Sequence, residues 1–250
     1  MNPIFLNLVS NTDSVISNIS IYETLILNED IFSIMKIGSS IEELYNPQQN
    51  IIKNLSEFRE VDFENLLTLK ISEYAFKKVK TVLKSAFEAL NHAVESYWLF
   101  LGDSFIKDII IPYQHVSHAF VEVDGMNIQN LKNKIKESNL DILGWGHSHA
   151  DFGVFFSDTD WRNQERVFNE TSNYVIIKRK NNKADSKIII KYSYGSTFNI
   201  HEDVFVQLTW QVPGGVIQHS HVNLKIIPSK GNLNFDFESY GKEIHKYFSK

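Results

Sequence analysis

A long stretch with helical periodicity lies between two strand-like runs. This succession restricts the possible folds of the chain more than any other feature of the sequence. TLKIS at 68–72 precedes the stretch and YWLFLG at 97–102 follows it. Between them, apolar residues recur at steps of three and four, as on a helix with one buried face: Ala75, Val79, Val82, Leu83, Ala86, Phe87, Leu90 and Val94. The pattern predicts strand, helix and strand, with the helix ending near Glu95.

Similar patterns continue along the chain and predict a fold that combines helices with a sheet. Strands are expected at 106–113, 118–125 and 141–149, and an amphipathic helix at 128–137. The order β-α-β-β-β-α-β predicts an α/β or α+β fold on a mixed sheet. Later segments predict a short helix at 161–168, hairpins at 173–194 and 203–227, and a closing helix at 240–248.

The clarity of these patterns divides the chain into three parts. Residues 1–66 show no clean period and are interpreted as an N-terminal accessory region. Residues 67–200 carry the succession of strands and helices and form the expected central domain. Residues 201–250 are expected to add a C-terminal extension made of a hairpin and a helix.

Composition argues against several classes of protein. No cysteine is present, which excludes disulfides and thiolate metal sites. A net charge of −5 gives no indication of a nucleic-acid partner, and KRKNNK at 178–183 is interpreted as a solvated turn. No apolar run approaches the roughly 18 residues of a membrane span, and the N-terminus lacks a signal peptide's charged start. We expect a soluble, intracellular, cytoplasmic protein with no membrane partner.

The densest chemistry of the chain lies in GWGHSHADFGVFFSDTDW, residues 144–161. His147 and His149 are two apart, so on a strand their side chains share one face, as a pair of zinc ligands requires. Ser157 and Asp160 stand three apart and also fit a capping box at a helix start. Both interpretations are compatible, because an aspartate fixed in a first helical turn can complete a His-His-Asp set. Three such ligands leave a fourth tetrahedral position open, as in catalytic zinc sites.

These residues resemble the JAMM signature of the MPN/JAB-domain metalloproteases, which reads H-[ST]-H, seven residues, S, two residues, D. His147, Ser148, His149, Ser157 and Asp160 meet every specified position. The resemblance covers roughly residues 67–200 and implies an MPN/JAB-type mixed sheet flanked by helices, in a cytidine-deaminase-like sandwich. One departure is Ala150, which stands where the family commonly has proline, and we expect it to loosen the loop and alter substrate fit.

The resemblance also implies a role for each residue of the signature. His147, His149 and Asp160 would hold one Zn²⁺ per chain. Ser157 would donate a hydrogen bond to the developing oxyanion, and Ser148 would hold the local backbone.

The family adds an upstream glutamate that acts as the general base. ESYWLFLG at 95–102 resembles its context E-x-x-G-x-L-x-G, although Trp98 replaces the inner glycine. Glu95 would take a proton from the attacking water and pass it to the leaving amine. Glu88 is the rival for this role, but its place inside the amphipathic helix favours a surface or edge carboxylate.

A second HSH triplet occurs at residues 219–221, followed at the same spacing by Ser229 and Asn232. Asparagine is a poor substitute for an anionic zinc ligand. The alternation in 216–226 also predicts a half-exposed hairpin strand, with both histidines on its polar face. We therefore expect no second metal site. The other histidines, among them His118, are interpreted as core-edge or surface residues.

The resemblance implies a zinc-dependent peptidase or isopeptidase. Its expected partner is ubiquitin, a ubiquitin-like protein or a conjugate of one, with the C-terminal tail bound along a strand edge. Phe155 and Phe156 would wall that channel or simply pack on the sheet. The alternative is a catalytically silent MPN scaffold that binds other proteins. An amidohydrolase barrel is disfavoured, because only about 100 residues follow His149.

Overall fold

Helices and strands alternate in the first half of the described chain, and strands dominate the second half. The computed structural model describes residues 59–125, 128–171, 173–179, 186–212, 215–229 and 234–249. Its strands are β1 (Arg59–Val61), β2 (Thr68–Ser72), β3 (Tyr97–Gly102), β4 (Ile106–Ile110), β5 (Gln114–Val116), β6 (Val121–Val123), β7 (Asp141–Ser148), β8 (Tyr174–Arg179), β9 (Ser186–Phe198), β10 (Val204–Gln211), β11 (Ile217–His221), β12 (Asn223–Ile227) and β13 (Phe248–Ser249). Its α-helices are α1 (Glu73–Leu90), α2 (Ile128–Ser138), α3 (Asp158–Glu170) and α4 (Phe237–Ile244).

One large mixed sheet contains most of the strands, in the order β1-β8-β9-β7-β3-β4-β2-β12. The β7–β9 pair is parallel, whereas β3 pairs antiparallel with both β4 and β7. Outside this order, β10 pairs with β9 and with β11. At one end of the order, β12 runs parallel to β2. β11 therefore pairs only with β10 among the described strands, whereas β12, the next strand along the chain, lies at the β2 end of the sheet. The predicted mixed sheet flanked by helices is confirmed at this level.

Helix α1 buries Ala75, Val79, Val82 and Ala86 of the predicted apolar face, but Phe87 is exposed and the helix is shorter than expected. Ser72 caps its first turn, accepting a hydrogen bond from the N–H of Ala75. The helix ends at Leu90, because Asn91 adopts a left-handed conformation with φ of 60° and its N–H bonds to the carbonyl of Phe87. The prediction that the helix reaches Glu95 is therefore wrong. Residues after Asn91 approach β3 in a non-helical conformation.

Three further elements differ from the sequence-based expectation. A separate three-stranded sheet forms from β5, β6 and β13, although only one strand was predicted at 118–125. Helix α3 begins directly after Ser157 and runs for 13 residues, longer than the expected 161–168. The closing helix predicted at 240–248 lies earlier, as α4, and is followed by a 3₁₀ turn at His245–Tyr247 and then by β13.

The predicted central domain, residues 67–200, shares its sheet with strands that lie before and after it in the chain. β1 pairs parallel with β8, and β10 and β12 pair with β9 and β2. All described residues fall within one compact unit. The described residues begin at 59, so they leave out most of the predicted accessory region, including the N-terminus. They also leave out the KRKNNK segment from residue 180 onward. Among the described helices, none combines the length and apolar character that crossing a membrane requires.

Candidate metal centre

The two histidines of the first HSH triplet lie at the end of a central strand. β7 is flanked by β3 and β9, and His147 pairs across to Tyr97 on one side and Thr197 on the other. His149 lies just beyond the strand, and its N–H continues the pairing by donating to the carbonyl of Phe198 at 2.7 Å. Both side chains are buried and, as the alternation predicts, turn to the same face.

Asp160 reaches the same place from the first turn of α3. Ser157 is the N-cap of that helix, and the two residues form a complete capping box. The Ser157 hydroxyl and backbone N–H both donate to Asp160 Oδ2 at 2.7 Å. The aspartate is buried, and its direction is fixed by the helix start. The capping box and the ligand position therefore coincide, as the sequence indicates.

The three predicted metal ligands converge. His147 Nε2 lies 3.1 Å from Asp160 Oδ1, and His149 Nε2 lies 3.3 Å from Asp160 Oδ2. One donor atom from each residue lies within 4.8 Å of the other two. His149 Nδ1 is 3.0 Å from the carbonyl of Gly153, which orients the ring with Nε2 facing the aspartate. Two imidazole nitrogens that face one buried carboxylate form a donor set typical of a divalent transition metal.

The electrostatics of the three groups favour a cation at their centre. Burial lowers the pKa of His147 to about 4, so this imidazole is neutral near pH 7. Burial also acts to lower the pKa of His149, but the hydrogen bonds to Asp160 and Gly153 and the charges of Asp160 and Glu95 together outweigh it and raise the pKa. Burial opposes ionisation of Asp160, yet hydrogen bonds from His149 and Ser157 and the charge of His147 hold its pKa below the usual range. The centre therefore contains a buried anion that a proton on His149 or a metal ion can neutralise.

Glu95 lies beside this centre, at the approach to β3. Its N–H donates to the carbonyl of Ser117 at 2.8 Å. Burial raises the pKa of Glu95 to about 7, while the charge of His149 lowers it and that of Asp160 raises it. A carboxyl with such a pKa can exchange protons near neutral pH. Glu88, by contrast, lies on the exposed side of α1, where it pairs with Lys84 and His245.

Ser148 has no free hydroxyl for chemistry because its side chain joins β7 to the backbone around Glu95. Ser148 Oγ accepts a hydrogen bond from the N–H of Ser96 at 2.8 Å and donates to the carbonyl of Val94 at 3.1 Å. These two partners flank Glu95 directly. The serine is fully buried, and its predicted role of holding the local backbone agrees with these contacts.

Two buried residues that sequence reasoning missed connect the strand of His147 to the helix of Asp160. The Trp145 ring stacks on His147 with centroids 5.1 Å apart, and Trp145 Nε1 donates to Gln164 Oε1 at 2.6 Å. Gln164 Nε2 in turn donates to Thr209 Oγ1 at 2.9 Å. The signal that could have revealed Gln164 is its spacing of four residues from Asp160, which places it on the same helical face.

The rim of the centre contains a second missed pair and several exposed rings. His118 Nε2 lies 2.8 Å from Asp151 Oδ1, joining the β5–β6 loop to the loop after His149. Phe155 is 53% exposed, with its ring against His149, so it is available to contact a substrate. Phe156 instead follows the second of the two alternatives, because that ring is partly buried against Trp145, with centroids 5.6 Å apart.

Ala150 has a backbone conformation that proline cannot adopt. Its φ of 47° lies in the left-handed region, whereas the proline ring fixes φ near −65°. The alanine is fully buried, and its carbonyl accepts a hydrogen bond from the N–H of Ile200 at 3.0 Å. The departure from the family pattern therefore accompanies a different backbone turn, which is held in place at this residue.

The second HSH triplet forms part of a half-exposed hairpin strand. His219 and His221 lie on β11 with exposed side chains, while Ser220 between them is buried. His219 Nδ1 lies 2.9 Å from Thr209 Oγ1, and His221 stacks on Phe205. Among the described residues, the only cluster of three potential metal ligands is His147, His149 and Asp160.

Over the described part of the chain, the fold and the site define a mixed α/β protein with a candidate metal centre at the end of a central strand. In sequence comparisons, no family model and no curated protein matches the chain.

Proposed function

We propose that this chain is a zinc-dependent metallopeptidase of the JAMM type, built on an MPN/JAB domain. It would hydrolyse a peptide or isopeptide bond at the C-terminus of ubiquitin or a ubiquitin-like protein. The observation that carries the proposal is the convergence of two buried imidazoles on one buried aspartate, beside a glutamate whose pKa is raised to about 7.

His147, His149 and Asp160 fit a zinc ion as its three protein ligands, two neutral nitrogens and one carboxylate. When bound, zinc would supply Lewis acidity, which lowers the pKa of water and polarises a carbonyl. The ring of His149 is already oriented by Gly153, and the aspartate by the helix cap. Little rearrangement of side chains is then needed for binding.

Glu95 would act as the proton carrier of the reaction. Its carboxylate takes a proton from the attacking water, whose oxygen bonds to the scissile carbonyl carbon. The same carboxyl then delivers that proton to the amine nitrogen as the C–N bond breaks. A pKa near 7 suits both steps, because the carboxyl can accept and release a proton at similar cost.

Ser157 would primarily orient Asp160, since its hydroxyl donates to Oδ2. The oxyanion role implied by the resemblance requires this hydroxyl to turn from the aspartate towards the substrate oxygen. Phe155, exposed beside His149, would contact the substrate tail as it enters.

The test is cleavage of ubiquitin carrying a fluorogenic amide at its C-terminus by zinc-loaded protein. Glu95→Gln should remove turnover while leaving one zinc per chain, and Glu88→Gln should retain both. Full turnover in Glu95→Gln would remove the glutamate from the mechanism.

The second candidate is a catalytically silent scaffold of the same fold. The direct contact between His149 and Asp160 favours it, because a protonated histidine neutralises the aspartate without any metal. Protein that is purified and then equilibrated with zinc would remain zinc-free in this case.

A further inference from the structure

A cavity of about 240 Å³ lies at the opposite end of the same strands, away from the candidate metal centre. Its lining includes the apolar side chains of Leu66, Phe105 and Leu143. It also includes two cationic side chains, Arg59 and Lys70. Leu143 precedes His147 by four residues on β7, which corresponds to roughly 13 Å along a strand. The cavity is therefore separate from the proposed catalytic residues.

The Arg59 guanidinium at this cavity has no anionic partner among the described residues. Its Nη1 donates to the carbonyl of Asp103 at 2.8 Å, and its Nη2 donates to the Tyr192 hydroxyl at a long 3.4 Å. Its Nε is buried and has no acceptor. A guanidinium offers five N–H donors, and these two neutral oxygens satisfy only part of that capacity. A partly buried charge without a counter-charge is costly unless a ligand supplies one.

Lys70 adds a second cationic side chain to the cavity lining. Its Nζ donates to Asn65 Oδ1 at 2.8 Å, and no described carboxylate forms an ion pair with Lys70 or Arg59. The nearby Asp103 is already engaged, with its Oδ2 2.6 Å from Lys107 Nζ. Burial raises the pKa of Tyr192, so its hydroxyl remains a donor at neutral pH. The cavity lining therefore combines hydrogen-bond donors and positive charge with apolar surface.

We propose that this cavity binds the oxyanion of a small organic molecule, either a phosphate monoester or a carboxylate. The anionic group would lie against Arg59, Lys70 and Tyr192, and the carbon skeleton against Leu66 and Phe105. Both oxyanions match the planar fork of an arginine, which can donate two parallel hydrogen bonds. The site goes beyond the proposed hydrolase and does not depend on it.

The experiment is calorimetric titration of the full-length, zinc-free protein with phenyl phosphate, benzoate and inorganic phosphate. Removing zinc prevents the anions from binding at the metal centre. We expect at least one of the two aromatic probes to bind more tightly than inorganic phosphate. Tighter binding of phenyl phosphate identifies a phosphate monoester as the ligand class, and tighter binding of benzoate identifies a carboxylate.

The variants are Arg59→Gln and Lys70→Gln, with Arg162→Gln as the matched control, because Arg162 is exposed on α3 and bonds Thr159. Each cavity variant should weaken the preferred probe roughly tenfold or more, since a charge-assisted hydrogen bond is lost. Arg162→Gln should leave affinity unchanged. Lys70→Gln keeps the test decisive if Arg59→Gln fails to fold. Absence of binding by both aromatic probes, or equal affinity in wild type and Lys70→Gln, would overturn the proposal.

Discussion

Ser148 and Ser96 are joined by a hydrogen bond of 2.8 Å, from the backbone N–H of Ser96 to the hydroxyl of Ser148. The same hydroxyl donates to the carbonyl of Val94. One buried side chain of the HSH triplet thus holds the backbone on both sides of Glu95. The backbone around the proposed general base is therefore tied to Ser148, the residue between the two proposed histidine ligands.

Ser148→Ala should therefore impair Glu95 without removing the metal ligands. The buried N–H of Ser96 would lose its acceptor, which costs about 1–3 kcal/mol of stability. We expect turnover of the ubiquitin amide to fall, mostly in kcat, with zinc content unchanged. Ser220→Ala is the matched control, because Ser220 is the buried serine of the second triplet and donates to the carbonyl of His221. Equal loss of turnover in both variants would contradict a specific link to Glu95.

Glu95→Gln should stabilise the zinc-free protein above neutral pH. The folded-state pKa of about 7 exceeds the pKa of 4.5 expected in the unfolded chain, so folding takes up a proton between these pH values. This carboxyl consequently destabilises the wild type progressively from about pH 4.5 to 7, and fully above pH 7. After discounting for the partial exposure of Glu95, the gain in Glu95→Gln is about 1–2 kcal/mol at pH 8 and near zero at pH 4.

Urea unfolding of zinc-free protein at pH 4, 6 and 8 measures this difference. Glu88→Gln is the control, because Glu88 is exposed on α1. A stability difference between Glu95→Gln and wild type that stays constant across the three pH values would show that Glu95 is not buried as described.

Ala150→Pro should destabilise the protein, although proline is common at this position in the family that the chain resembles. Proline cannot adopt the φ of 47° found here, so the loop after His149 must change course. We expect a loss of more than about 1 kcal/mol in the free energy of unfolding, and weaker zinc binding. Ala150→Gly, which permits the same φ, should stay within about 1 kcal/mol of the wild type. Wild-type stability in Ala150→Pro would mean that this turn is not the one adopted in solution.

The local patterns of the sequence predicted the elements that bear the candidate ligands. Alternation on β7 placed His147 and His149 on one face, and the serine–aspartate spacing predicted the start of α3. These signals are local, because each depends on residues within one element or one cap.

Features that depend on distant partners could not be predicted in the same way. Val94 fits the three- and four-residue spacing of the apolar residues on α1, but the left-handed Asn91 ends the helix before Val94. Val94 is therefore buried outside the helix. The Ser148–Ser96 bond joins residues 52 apart in the chain. Strand β13 has only two residues, which are too few for any periodicity. It lies at the C-terminal end of the described chain and pairs with the distant strand β5.

The most direct test of the central claim is the zinc content of purified protein after equilibration with zinc and removal of free metal, measured by elemental analysis. The account predicts one zinc per wild-type chain and less than about one-tenth of that in His149→Ala, because a three-residue site cannot lose a ligand and retain its affinity. His219→Ala, which changes the second triplet, should keep one zinc. A folded wild type without zinc, or a His149→Ala variant with a full complement, would contradict a metal centre at these residues.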